Sequence, residues 1–163
     1  MIKTIILAVA LIVSVGTVSG FAQDNQKQAL LASYYDIKNA LVNSDAPGAA
    51  GKAGEFLKEI SSADAKTFSG AEATAFKTYQ DKLGYDARHI SESKDIAHQR
   101  EHFASFSLNF FKLAKAVKLS AQPIYYDYCP MKKTYWLSAA KEIKNPYYGK
   151  QMLTCGSVSE TID

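Results

Sequence analysis

Cysteine is scarce in this chain: 163 residues hold two, Cys129 and Cys155, and neither belongs to a C-x-x-C pair, which excludes a zinc-finger spacing. Glycine forms no Walker-type or dinucleotide motif, so nothing is laid out to cradle a nucleotide phosphate. The one glycine-rich stretch, residues 47–54, is equally rich in alanine and reads as a turn leading into a helix. Positive charge is never concentrated: the net charge is +3 and the lysines are scattered without a basic stripe, which excludes a nucleic-acid footprint. Tandem repeats and long low-complexity tracts are also missing.

What is present begins with a leader. Residues 1–22 carry one positive charge, Lys3, then the apolar run Ile5 to Val13, then the small residues Ser14, Gly16, Ser19 and Gly20. This is the layout of a secretory signal peptide, too short and lightly flanked for a membrane span, with cleavage expected after Ala22. No cysteine lies in the cleavage zone to accept a lipid, so the expected product is a periplasmic or secreted single domain, residues 23–163, without a membrane span. A retained N-terminal anchor is the alternative.

Hydrophobic periodicity predicts an all-α fold, an antiparallel four-helix bundle with a short irregular or β C-terminal segment packed on it. The first helix spans residues 24–44, and Asp45 caps a second whose first turn contains Pro47 and which ends near Ser61. Ser69 and Glu72 form a capping box for a third helix, with Gly84 as its stop and a separate short helical stretch over residues 85–93. The fourth, over residues 94–118, has a continuous stripe of Ile96, Gln99, Phe103, Phe106, Phe110, Leu113 and Val117. The expected core contains Phe56, Leu57, Phe103, Phe106, Phe110 and Leu113. Beyond Pro123 a short strand or two, loops and one helical turn near residues 138–143 are expected, and seven tyrosine and tryptophan rings should fold that segment back over the bundle.

Both cysteines fall inside that segment, each with a methionine nearby: Cys129-Pro130-Met131 at one end and Met152-Leu153-Thr154-Cys155 at the other. Two thiols and two thioethers suit a soft ion, above all Cu(I), because thioethers are neutral and polarisable. In an exported protein two cysteines also suit a disulfide, and a Cys129 to Cys155 bridge would contribute roughly 3 kcal/mol in the chain-entropy model. Both readings stand on the sequence. His98 and His102 share one helix face, with His102 at the edge of the apolar stripe and available as a nitrogen ligand, while His89 is assigned to solvent. Cys129, Cys155, His98 and His102 are a donor set for zinc, which leaves the methionines unexplained. The H-x-x-E-H pattern at His98, Glu101 and His102 is too short to define a metalloprotease, and no local signature supports a Cys/His nucleophile, so no enzymatic activity is expected.

The segments from Tyr34 to Asp45, Gln99 to Phe103, Tyr126 to Met131, Trp136 to Ser138, Asn145 to Gly149 and Met152 to Gly156 resemble a bacterial family of exported domains, the domain-of-unknown-function 3347 family. Its members occur alone or fused to periplasmic adaptor subunits of heavy-metal efflux pumps. The Tyr-Cys-Pro-Met and Met-x-x-Cys-Gly motifs also resemble the short heavy-metal-binding motif of such adaptors and of copper-transporting ATPases. The resemblance implies an exported Cu(I) or Ag(I) protein that buffers the ion or passes it to an efflux adaptor. Its site residues would be Cys129, Met131, Met152 and Cys155, with His102 as a further ligand.

Overall fold

The computed structural model describes residues 18–68 and 70–163, with side chains from Asn25 onward except that of Thr67. Four helices, α1 (Val18–Val42), α2 (Ala46–Ser62), α3 (Gly70–Glu92) and α4 (Ile96–Ala116), pack together. Strands β1 (Ile124–Cys129), β2 (Thr134–Ser138) and β3 (Ser157–Ile162) follow as an antiparallel sheet in the order β2-β1-β3. No helix among the described residues is long and apolar enough to cross a membrane. Most of the expected leader, and Ser69 of the expected capping box, lie outside the described residues. Helix α1 begins at Val18, earlier than the expected start at residue 24 and inside the span read as leader.

The connections are built from short polar side chains. Asp45 accepts from Gly48 N at 2.9 Å and Asp95 from Ala97 N at 2.8 Å, so each caps the helix that follows and satisfies one of its orphan donors. Gly84 does not end α3, which runs unbroken to Glu92. A glycine stops a helix only when it takes the left-handed conformation; here it lies opposite Leu57 of α2, whose Cδ1 would be 3.8 Å from an added Cβ.

Every member of the predicted stripe on α4 is buried except Ile96, which is partly exposed. Gln99 belongs there because its Nε2 reaches Ala46 O at 2.9 Å and Ser93 O at 2.8 Å, which ties the start of α2 to the end of α3. Of the other expected core residues, Phe56 is fully buried and Leu57 only partly. On α2 the buried face is Ala49, Ala53, Phe56 and Ile60. Tyr34 stacks on Phe103, Phe106 and Phe110 of α4. Its hydroxyl pairs with Ser107 Oγ at 2.7 Å and accepts from the Leu137 backbone N–H at 2.9 Å, so one buried group joins α1, α4 and β2.

The C-terminal segment is more regular than expected at its ends. Cys129 pairs with Thr134 across a hairpin whose last loop residue, Lys133, is left-handed, and β3 pairs with β1 through a bulge at Tyr126/Asp127. Tyr126 lies flat between Phe111 of α4 and Tyr135, which docks one face of the sheet on the bundle. No helical turn forms over residues 138–143; the 3-10 turn of this segment is Gly149–Gln151. Gly149 (φ 55°) abuts the α1–α2 corner so closely that a Cβ would sit 2.8 Å from Val42 O and 2.6 Å from Ser44 Oγ.

Two substitutions test this frame in chemical denaturation. Tyr34→Phe leaves the buried Leu137 N–H without a partner and should lower stability by about 1–3 kcal/mol. Gly149→Ala meets both left-handed strain and backbone contact, and should cost about 2 kcal/mol or more.

Candidate metal centre

The hairpin between β1 and β2 is the frame of the sulfur site. Cys129 is the last residue of β1 and is fully buried, and both cysteines are free thiols. Its Sγ accepts from Lys132 N at 3.4 Å and from Asn145 Nδ2 at 3.2 Å. Cys155 is half-buried, and its thiol adjoins that of Cys129 and the backbone of Met131. Contacts such as that of the Met131 backbone favour a thiolate at Cys155, the form a metal requires. Opposing them, desolvation and then the neighbouring Cys129 hold the Cys155 thiol above its usual range.

Asn145 brings the two cysteines together. It is completely buried; its Nδ2 also donates to Cys155 O at 2.7 Å, and its backbone N–H to Leu153 O at 2.8 Å. Its Oδ1 accepts from the N–H groups of Tyr147 and Tyr148, which bends the chain back toward the helices. Arg100 of α4 completes the clamp, with Nε donating to Pro146 O at 2.8 Å and NH2 to Leu41 O at 3.0 Å and Ser44 Oγ at 2.9 Å. Gly156 is needed where the chain leaves Cys155: at φ 153°, a Cβ would lie 2.7 Å from the Trp136 ring.

The methionines are placed less symmetrically. Met131 stands at the hairpin tip, 62% exposed, and contributes its backbone to Cys155, while Met152 is partly buried and its carbonyl accepts from Cys155 N at 3.1 Å. His102 belongs to a different neighbourhood. Its Nδ1 lies 3.1 Å from Asp86 Oδ1 of α3, and its ring contacts are with Tyr85, His89 and His98. His89, expected in solvent, is partly buried and stacks on His102 at 4.3 Å between ring centroids. The expected stop at Gly84 hid this, because an unbroken α3 makes α3 and α4 a hairpin. Residues at similar distances from its turn, such as His89 and His98, then face each other.

A helix bundle carrying a thiol pair on a small C-terminal sheet is the class of protein that this geometry defines. Residues 30–122 match the family described as protein of unknown function (DUF3347), and the chain belongs to that family. The match takes in the three histidines and ends before Cys129, so it covers less than the resemblance read from the sequence. No curated protein and no solved structure matches the chain.

One buried acid lies two residues before Cys129. Asp127 is fully enclosed and neither carboxylate oxygen closes a hydrogen bond. Desolvation pushes its pKa up to about 6, against the opposing influence of nearby Ser138 and the Lys38 charge. The folded state thus holds this proton more tightly than the unfolded chain, so Asp127 favours folding at low pH and that contribution is lost as pH rises from 3.8 to about 6. Denaturation of wild type and Asp127→Asn across this range should show the variant gaining relative stability as pH rises.

Proposed function

We propose that this protein is an exported soft-metal binder that holds Cu(I) or Ag(I) between Cys129 and Cys155 in the cell envelope. The observation that carries the reading is the meeting of two free thiols at one turn, where Lys132 N and Asn145 Nδ2 donate to Cys129 Sγ and the Met131 backbone adjoins Cys155. Two thiolates form a low-coordinate soft site, and such a site releases its ion readily to another sulfur-rich partner. The flexible thioethers of Met131 and Met152 flank it and serve as transient ligands during transfer. Zinc is the poorer fit, since a structural zinc site needs four N, S or O donors and gains little from thioethers.

The role is buffering the ion or passing it to a heavy-metal efflux adaptor, with no reaction catalysed. The resemblance of the Cys-Pro-Met and Met-x-x-Cys-Gly motifs to heavy-metal-binding segments of such adaptors supports this partner. The N-terminal charge and apolar run support export. A stapled interaction module rests on the adjacency of the same two thiols and leaves the flanking methionines without a role.

Anaerobic titration of the reduced protein should show about one tight Cu(I), lost when Cys129 and Cys155 both become serine. Replacing Met131 and Met152 together should weaken Cu(I) retention while leaving Zn(II) binding nearly unchanged. Undiminished Cu(I) affinity in the double-serine variant would sink this reading and leave the stapled module as the better account.

A further inference from the structure

The three histidines of the chain meet on the outer face of the α3–α4 hairpin, and the sulfur site uses none of them. His89 lies in the last turn of α3 and His98 in the first turn of α4, with His102 one turn further on. One ring nitrogen from each lies within 4.8 Å of the others. Their access to solvent is graded, since the His98 side chain is 44% exposed and that of His102 18%.

An imidazole can bind a metal through only one nitrogen at a time, and the other is commonly fixed by a carboxylate. Asp86 supplies that carboxylate. It is buried, it accepts from Ser105 Oγ at 2.7 Å, and the same oxygen lies 3.1 Å from His102 Nδ1. A hydrogen bond from Nδ1 to this oxygen, which already accepts from Ser105, leaves the Nε2 lone pair of His102 free for a ligand. On the exposed side, Glu101 stands 4.0 Å from His98 Nδ1.

We propose that His89, His98 and His102 form a second metal site, which takes a borderline divalent ion, Zn(II) or Cu(II), with solvent in the remaining position and Asp86 as the positioning residue for His102. Three neutral nitrogens match the softness of these ions, as two thiolates match Cu(I). The rings of His89 and His102 are parallel within 7°, and a metal must lie near the plane of each ring it joins. Loading therefore turns His89 about its Cβ–Cγ bond and breaks its stack with His102. This site is independent of the sulfur pair.

The test uses the Cys129→Ser/Cys155→Ser protein, so that the sulfur site cannot contribute. Zn(II) and Cu(II), titrated separately against a chromophoric competitor, should each bind at about one equivalent. His98→Ala, a surface change that leaves the core intact, should weaken binding at least ten-fold. Asp86→Asn should weaken it by about 10–100-fold, with folding checked by circular dichroism. Nitrogen NMR should show the metal on Nε2 of His102 and hydrogen on Nδ1. Absence of one-equivalent binding of either ion, or affinity unchanged in His98→Ala, overturns the site; metal on Nδ1 overturns the role of Asp86. Failure of the Cu(I) titration at the thiols would leave this result untouched.

Discussion

The hydroxyl of Tyr34 is the point on which the two halves of the molecule depend. Its ring is enclosed among Phe103, Phe106 and Phe110, yet its oxygen must have partners, because an unpaired hydroxyl in that core costs on the order of 1–3 kcal/mol. Ser107 supplies one from α4 and the Leu137 backbone supplies the other from β2. The helical core is thus satisfied only with the sheet in place, and the sheet is too small to stand without the helices. Phe111, Tyr126 and Tyr135 then add a stacked aromatic contact along the same interface.

With the sheet docked, the long connection from β2 to β3 has little freedom left. Asn145, within it, is tied by one buried amide to Cys129 at the end of β1 and to Cys155 just before β3, and Arg100 bridges Pro146 O to Leu41 O at the end of α1. Arg100 does this from the helix that also carries His98 and His102, so α4 supports the sulfur turn on one side and the imidazole cluster on another. The thiol pair and the three imidazoles are thus separate groups of soft and borderline donors on one scaffold.

The helices were legible because burial follows the 3.6-residue period, and the stripe on α4 proved to be the wall of the core. Gln99 was legible as part of that stripe but not for what it does, since its partners come from α2 and the end of α3. Gly84 misled because glycine is a stop only when the backbone turns left-handed; beside Leu57 it permits close packing of α2 and α3. That one reading also concealed His89. The grouping of Cys129 with Cys155 was legible from composition, whereas the N–H donors around them were not, because they come from a turn and from Asn145, ten residues before the second cysteine.

By itself the sequence determined the helical periods, the cap at Asp45, the break after the fourth helix and the presence of sulfur in the closing segment. Those are properties of residues close together in the chain, and local sterics and hydrogen bonding are enough to set them. Tertiary structure alone decided that His102 joins His89 and His98, that Met131 lends its backbone to Cys155, and that Asp127 is sealed without a partner. Each of these depends on which surfaces of distant elements meet, and that is settled by how the whole core closes.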